Sequence, residues 1–238
     1  MGQTATKIDI LAVADEVDEG LWHDVSPVQG VGLILACGDL PFEYLAHLAE
    51  HLNAPLVFVA GNHDPDIGGY RLGRSGLMLR AGLPDEPPWP PGAVNADGRV
   101  VDVAGLRVAG LGGSVRYGDG PNQYTQGQQR RRAARVVAAA HWRRWRDGRR
   151  VDVVLAHAPP RRPGDDGADR PGDPGDAAHT GFDALTRVMD RLEPRLLCHG
   201  HVHPYGGAQR EQQWGPTTVR NVVGRHVFTI ETEGADAS

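Results

Sequence analysis

Side chains that commonly bind metal ions follow five short, mostly apolar runs of this sequence. The runs cover residues 8–14, 31–37, 56–60, 151–156 and 196–198. The residues that follow them carry carboxylate, amide or imidazole groups, namely Asp15, Asp39, Asn62, His63, Asp64, His157, His201 and His203. Runs of this length and composition are typical of strands buried on both faces, as in a parallel sheet. Because parallel strands end at one edge, where ligands bind in open α/β sheets, we expect these groups to converge into a metal site.

The types and spacing of these ligands indicate the chemistry. Mixed carboxylate, amide and imidazole ligands suit Mn²⁺, iron or Zn²⁺ better than they suit Ca²⁺. His201 and His203 lie two residues apart, so on an extended segment both side chains face the same way, and one strand end could serve two metal ions. Two cations held about 3.5–4 Å apart at such an edge can together lower the pKa of a shared water.

The order of the motifs resembles that of the calcineurin-like metallophosphoesterase superfamily. The order Asp, Gly-Asp, Gly-Asn-His-Asp, His and Gly-His-x-His extends over residues 8–203. Gly-Asn-His-Asp and Gly-His-Val-His in this order, each closing an apolar run, are together highly specific. The resemblance implies an α/β fold, a two-sheet α/β/β/α sandwich of the metallophosphoesterase type, formed by a single domain over residues 1–238. It also implies two divalent metal ions and a bridging hydroxide.

The resemblance further implies roles for the predicted site residues. One metal ion would be bound by Asp15, Asp39 and His203. The other would be bound by Asp39, Asn62, His157 and His201, so that Asp39 bridges the two ions. His63, oriented by Asp64, would face the phosphate as a general acid or as a hydrogen-bond donor to the transition state.

The first motif departs from the family pattern. It is usually Asp-x-His, but here it is Asp15-Glu16-Val17. Loss of a group that merely supports a metal ligand typically costs about 10–100-fold in affinity or activity, and loss of a ligand should cost at least as much. We therefore expect two sites of unequal affinity, with water, Glu16 or the nearby His23 completing the weaker one.

Composition limits the other classes of function. The chain has 238 residues, which suits one α/β domain, and a net charge of −5, which gives no general attraction to nucleic acid or membranes. It contains no apolar stretch of 18 residues and no signal pattern at its start, so we expect a soluble, cytoplasmic protein. Cys37 and Cys198 are expected to be small buried residues rather than a disulfide.

Periodicity predicts the elements between the motifs. Helices are expected over residues 42–52, 126–145 and 181–192, with Ala134, Ala138, Trp142 and Trp145 as the apolar stripe of the second. Residues 100–103 and 106–111 should form a hairpin, and residues 217–223 and 226–231 a closing hairpin. The Pro/Gly-rich segments 84–92 and 163–176 are expected to be loops. The second, with its aspartates and with His179 beyond it, is interpreted either as a lid or as a surface loop.

Three other motifs are given ordinary interpretations. His47 and His51 match a zinc peptidase pattern, but they lie on the polar face of the helix over 42–52, so we expect an exposed surface. The glycines of residues 110–114 lack the spacing of a dinucleotide fingerprint and favour a tight turn. The nine arginines between residues 130 and 150 favour a solvated helix face over a nucleic-acid site.

The sequence therefore favours a metal-dependent phosphoester hydrolase. An open metal edge without an obvious basic pocket fits the single negative charge of a diester, so a phosphodiesterase is preferred, acting on a small phosphoester or a nucleotide. The alternatives are a phosphomonoesterase of the same fold and a weakly active metal-binding scaffold for protein partners. A scaffold has no need of His63 and Asp64, and this chain has both.

Overall fold

Two facing sheets form the centre of the protein. The computed structural model describes residues 6–161, 180–204 and 209–232. The first sheet contains, in spatial order, β16 (Gly224–Thr232), β1 (Thr6–Ala14), β2 (Leu33–Ala36), β3 (Leu56–Phe58) and β7 (Val94–Asn95). The second contains β14 (Glu211–Trp214), β15 (Thr217–Asn221), β13 (Leu196–His199), β12 (Val153–Ala156), β9 (Leu106–Leu111) and β8 (Val100–Val103). The five apolar runs are thus strands β1, β2 and β3 of one sheet and β12 and β13 of the other.

Shorter strands, four α-helices and one 3₁₀ helix (Ser26–Val28) complete the described part. A small antiparallel sheet contains β4 (Arg71–Leu72), β5 (Met78–Arg80) and β6 (Leu83–Pro84), and β10 (Ser114–Val115) pairs in parallel with β11 (Gln123–Tyr124). The helices are α1 (Glu19–His23), α2 (Phe42–Leu52), α3 (Gln126–Asp147) and α4 (Asp183–Leu192). None of them is long and apolar enough to cross a membrane.

Three apolar clusters lie between four layers. Along β1, Leu11 and Val13 pack with Leu48 of α2, whereas Ile10 and Ala12 belong to the cluster between the two sheets. The third cluster joins the second sheet to α3 and α4. Cys37 and Cys198 are buried free thiols in the middle cluster. The layers confirm the α/β/β/α sandwich.

The predicted apolar stripe of α3 is wrong. The helix buries Gln129, Ala133, Val136 and Ala140, while Trp142 and Trp145 are 54% and 83% exposed. Ala134 and Ala138 are exposed as well. The small side chains of Ala133 and Ala140 let the helix lie close against the sheet, so the buried face needs no large aromatic residue. At the surface, the guanidinium carbon of Arg146 lies 4.8 Å from the ring centroid of Trp142.

One of the two predicted hairpins is also wrong. Strands β8 and β9 pair as expected, with Val103 opposite Leu106. The predicted closing hairpin does not form, because β15 is parallel to β13 in the second sheet and β16 is antiparallel to β1 in the first. The buried Val222 and Val223 carry the chain from one sheet to the other.

A buried arginine closes the end of the second sheet against α3. The side chain of Arg107 is 2% exposed, its Nε donates to Asp102 Oδ1 at 2.8 Å and its Nη2 to Asp147 Oδ2 at 2.7 Å. Its Nη1 also donates to the carbonyl oxygen of Arg149 at 3.0 Å. These bonds connect β8, β9 and the last turn of α3.

We expect Arg107→Leu to lower the free energy of unfolding by about 2–3 kcal/mol, measured by urea denaturation. Removing one partner of a buried ion pair commonly costs ~3–5 kcal/mol, but Asp102 and Asp147 remain partly hydrated, so the cost should be smaller. Arg143→Ala is the matched control, since Arg143 also donates to Asp102 but from a more exposed position. It should cost less than about 1 kcal/mol. Equal losses in the two variants would contradict this role of Arg107.

Candidate metal centre

The ends of the five strands meet at one edge, where the two sheets come together. His157, after β12, places its Nε2 3.2 Å from Asp39 Oδ2, after β2, and 3.0 Å from Asn62 Oδ1, beyond β3. The backbone N–H of His201, beyond β13, donates to both carboxylate oxygens of Asp15, after β1, at 3.1 and 3.0 Å. Residues separated by up to 186 positions are therefore in direct contact.

The backbone at this edge turns sharply. Asp15, Asp39 and His201 have φ angles of 60°, 57° and 65°, in the left-handed region that side chains other than glycine rarely adopt. Such conformations cost free energy and cluster at functional sites, where the surrounding contacts maintain them. The adjacent glycines permit these turns, since a Cβ at Gly61 would overlap the carboxylate of Asp39 and one at Gly200 that of Asp15.

One group of ligand atoms is already assembled. Within the described ranges, Asp39, His157 and His201 each offer one ligand atom, and these atoms lie within 4.8 Å of one another. The Nδ1 of His157 lies 2.8 Å from the carbonyl oxygen of Cys37, which can only accept, so Nδ1 carries a hydrogen and Nε2 faces Asp39. This arrangement fixes the imidazole in the orientation and tautomer that a metal ligand requires. The residues present therefore fit a divalent cation of the Mn²⁺, iron or Zn²⁺ type.

The charges in this group couple the binding of a cation to the release of a proton. Burial alone would lower the pKa of His157, but the hydrogen bond and charge of Asp39 raise it to about 9. Burial likewise opposes ionisation of Asp39, yet the hydrogen bond and charge of His157 lower the pKa of this carboxyl below its usual value. At neutral pH the two groups form a buried ion pair, so binding of a cation through the His157 nitrogen must release a proton.

The second group of predicted ligands is less compact. Asp15 is partly buried, and this burial raises the pKa of its carboxyl above the usual value, although His157 opposes the shift. His203 is partly exposed, and its Nδ1 lies 3.0 Å from Glu16 Oε1. Within the described part of the chain, neither Asp15 nor His203 belongs to the assembled group of three.

Val17 does not lie on the same side of the chain as Asp15, although the alternation of an extended strand would place it there. Val17 packs against the apolar cluster beneath α1 and α2, whereas Asp15 faces His201. The left-handed backbone of Asp15 interrupts the alternation, so residues 15 and 17 do not share a side. Glu16 is the residue that contacts His203. His23, the other suggested replacement, is exposed at the end of α1, and no described hydrogen bond joins it to the site.

Asp64 was predicted to orient His63, and its described hydrogen bonds go instead to the backbone of other residues. The Oδ2 of Asp64 accepts from the backbone N–H groups of Gly61 at 2.7 Å and Asp39 at 3.0 Å. The carboxylate of Asp64 thus connects the turn that carries Asp39 to the turn that carries Asn62. Burial raises the pKa of this carboxyl. His63 is exposed, and its backbone N–H donates to Asp39 Oδ1 at 2.8 Å, which leaves its imidazole at the surface of the site.

The remaining motifs lie away from these contacts or outside the described residues. His47 Nε2 is hydrogen-bonded to the carbonyl oxygen of Leu21 at 2.9 Å, so this histidine has a structural partner on the helix side. In the segment 110–114, Gly113 N–H donates to the carbonyl oxygen of Ala60 at 2.7 Å, as expected of a turn beside the metal edge. The segment 163–176 and His179 lie outside the described residues.

One contact of the site has no signal in the sequence. The Nδ2 of Asn62 donates to the hydroxyl oxygen of Tyr117 at 2.8 Å, although the two residues are 55 positions apart. Tyr117 belongs to a polar loop without a motif. Its contact with Asn62 is visible only in the folded structure.

Comparison with known proteins assigns the chain to a family. A family model described as calcineurin-like phosphoesterase matches residues 10–205. The structure of TT1561 of Thermus thermophilus is similar, with a TM-score of 0.58 and 14% sequence identity, over 95% of this chain and 99% of that one. At this identity the likeness concerns the fold alone.

A weaker likeness, with a TM-score of 0.48, is found to the purple acid phosphatase PPD1 from yellow lupin (Lupinus luteus) seeds. The identity is 14%, over 92% of this chain and 44% of that one. No curated protein gives a significant match. Because the family model covers most of the chain, the protein belongs to the calcineurin-like phosphoesterase family and is a metal-dependent phosphoric ester hydrolase.

Proposed function

We propose that this protein is a phosphodiesterase with two divalent metal ions of unequal affinity. The observation that carries the proposal is the assembled group of Asp39, His157 and His201 beside the exposed His63. Asn62 faces the same group, so these residues would hold the tighter ion. Asp15, His203 and the shared Asp39 would hold the weaker one.

The bound ions would supply Lewis-acid chemistry, in that they polarise the phosphoryl oxygens and make water a better nucleophile near neutral pH. The protein itself contributes position. Asp64 fixes the backbone of Asp39 and Gly61, and Cys37 fixes the ring of His157. His63 is exposed and its backbone is bonded to Asp39, so its imidazole would be available to donate a hydrogen bond or a proton to a phosphate ester.

The charges around the site support a diester rather than a monoester. None of the described contacts of Asp15, Asp39, Asn62, His63 and His157 involves an arginine or a lysine. A monoester dianion carries a second negative charge, which a basic side chain would normally pair. A diester carries one negative charge and needs no such partner beyond the metal ions.

Hydrolysis of two model substrates tests the proposal. The purified protein is freed of metal, its metal content is measured, and Mn²⁺ is added back before assay with bis-p-nitrophenyl phosphate and p-nitrophenyl phosphate. We expect a higher kcat/KM for the diester. A preference for p-nitrophenyl phosphate would favour a monoesterase. Full metal content without hydrolysis of either substrate would favour the scaffold alternative.

The contact between Glu16 and His203 leads to a prediction about the weaker site. In Glu16→Gln, the Mn²⁺ concentration for half-maximal activity should rise about tenfold or more, because a carboxylate that supports or replaces a ligand is lost. The ion that survives dialysis should be retained. Glu19→Gln, at an exposed acid on α1, is the control and should leave the titration unchanged. An unaltered curve in Glu16→Gln would exclude Glu16 from the site.

Val17→His provides the complementary arm of this experiment. Simple alternation suggests that a histidine at this position would restore the missing ligand. Since Val17 packs beneath α1 and α2, we instead expect no tightening of the weaker ion and a modest loss of stability. A leftward shift of the Mn²⁺ titration would show that the imidazole reaches the site after all.

A further inference from the structure

The carboxamide of Asn62 is held at both of its ends. The residue is 3% exposed. Its Oδ1 lies 3.0 Å from His157 Nε2, inside the group of predicted ligands, while its Nδ2 donates to Tyr117 Oη at 2.8 Å, on the outer side. The described contacts therefore give the two ends of the amide different partners.

The loop that carries Tyr117 is rigidly anchored beside the site. It connects β10 to β11, and the buried side chain of Gln123 accepts from the backbone N–H groups of Tyr117 at 3.1 Å and Gly118 at 2.9 Å. At the end of the loop, Asn122 Nδ2 donates to the carbonyl oxygens of Asp64 at 3.1 Å and Pro65 at 3.2 Å. The loop is thus attached to the same Gly-Asn-His-Asp turn that presents Asn62.

The orientation of this amide decides whether it can bind a cation. The two ends of a carboxamide are nearly identical in shape, but only the oxygen is a ligand, and the NH₂ group would repel a metal ion. When Oδ1 faces His157, the buried NH₂ group needs an acceptor, and the hydroxyl oxygen of Tyr117 supplies it, so this contact stabilises the orientation in which Oδ1 is available to a cation. We propose that Tyr117 is a positioning residue of the metal centre, which acts through the carboxamide of Asn62.

This role rests on the proposed function of Asn62 as a metal ligand, and it makes a specific prediction for Tyr117→Phe. The variant keeps the aromatic ring and removes only the oxygen that accepts from Asn62. Mn²⁺ titrated into metal-free protein, followed by calorimetry, should show the Kd of the tighter ion raised about 10–100-fold. The metal-free variant should stay folded, with a somewhat lower thermal midpoint, because the buried NH₂ group of Asn62 loses its acceptor.

Tyr124→Phe is the matched control. Tyr124 lies at the other end of the same loop, its ring is covered by the guanidinium of Arg132, and its hydroxyl has no hydrogen bond within the described residues. Its removal should leave the Kd for Mn²⁺ unchanged. A Kd that is the same in Tyr117→Phe as in the original protein would overturn the proposal.

The same Tyr117→Phe substitution, made in an Asn62→Asp variant, separates an effect on the Asn62 amide from a general effect of the loop on metal binding. In Asn62→Asp both ends of the side chain are oxygens, so no buried NH₂ group is left without an acceptor when the hydroxyl of Tyr117 is removed. Adding Tyr117→Phe to this variant should change the Kd less than about twofold, and an equal loss in both backgrounds would overturn the proposal. Calorimetry does not depend on catalysis, whereas a failure of the proposed function would appear in the hydrolysis assay of the unmodified protein.

Discussion

Replacing Asp39 by asparagine is expected to abolish hydrolysis and to reduce bound metal at both sites. Asp39 is the one residue assigned to both ions. Its Oδ2 lies 3.2 Å from His157 Nε2, and its Oδ1 accepts from the backbone N–H of His63 at 2.8 Å. Asparagine keeps the shape of the side chain but loses the charge that offsets two cations. We expect turnover to fall by more than about a hundredfold.

Metal analysis after dialysis and Mn²⁺ calorimetry measure this effect directly. Asp66→Asn is the control, because Asp66 is an exposed acid that pairs with Arg80 and lies just beyond Asp64 in the chain. It should retain the metal content and turnover of the original protein. Near-normal metal binding and activity in Asp39→Asn would exclude a bridging role for this carboxylate.

The metal edge could be predicted because buried parallel strands have a simple signature. Residues 10–14 and 153–156 are apolar on both faces, since each strand packs between two layers, and the polar residue at the end of each run marks its exit from the core. The short hairpin of β8 and β9 was equally predictable, because Ala104 and Gly105 both adopt the left-handed backbone of a tight turn.

The errors arise where tertiary packing overrides a local pattern. Strands β15 and β16 have the spacing of a hairpin, yet the two valines between them are buried and carry the chain across to the other sheet. On α3, Trp142 and Trp145 are the most apolar large residues, so the local pattern predicts that they are buried. In the structure the small side chains of Ala133 and Ala140 pack against the sheet instead, and both tryptophans are exposed. Neither choice is encoded within a window of a few residues.

At the site, the sequence indicated which residues lie close together, but not which hydrogen bonds position them. The left-handed turn at Asp15 replaces the expected alternation and brings Glu16, not Val17, to His203. Asp64 follows His63 directly in sequence, yet its carboxylate faces the backbone of Gly61 and Asp39. Motif spacing cannot resolve such contacts, because they depend on where two separate turns meet.

His63→Ala is expected to lower turnover by about 10²–10⁴-fold while the metal content stays intact. The imidazole of His63 is exposed and lies outside the assembled ligand group, and its link to Asp39 is through the backbone N–H, which alanine retains. Turnover of bis-p-nitrophenyl phosphate and metal analysis of the same sample test both halves of the expectation. His141→Ala, at an exposed histidine of α3, is the control. Metal loss in His63→Ala would make His63 a ligand instead.

The same variant separates the two roles that remain open for His63. A general acid matters most when the leaving oxygen is a strong base, whereas p-nitrophenolate departs without a proton. If His63 donates a proton to the leaving group, the loss in His63→Ala should be much larger for a dialkyl diester, which must expel an alkoxide, than for bis-p-nitrophenyl phosphate. An equal loss for all leaving groups would identify His63 as a hydrogen-bond donor to the phosphoryl oxygens. The exposed position of the ring is compatible with either contact, so the dependence on leaving-group pKa is the measurement that decides between them.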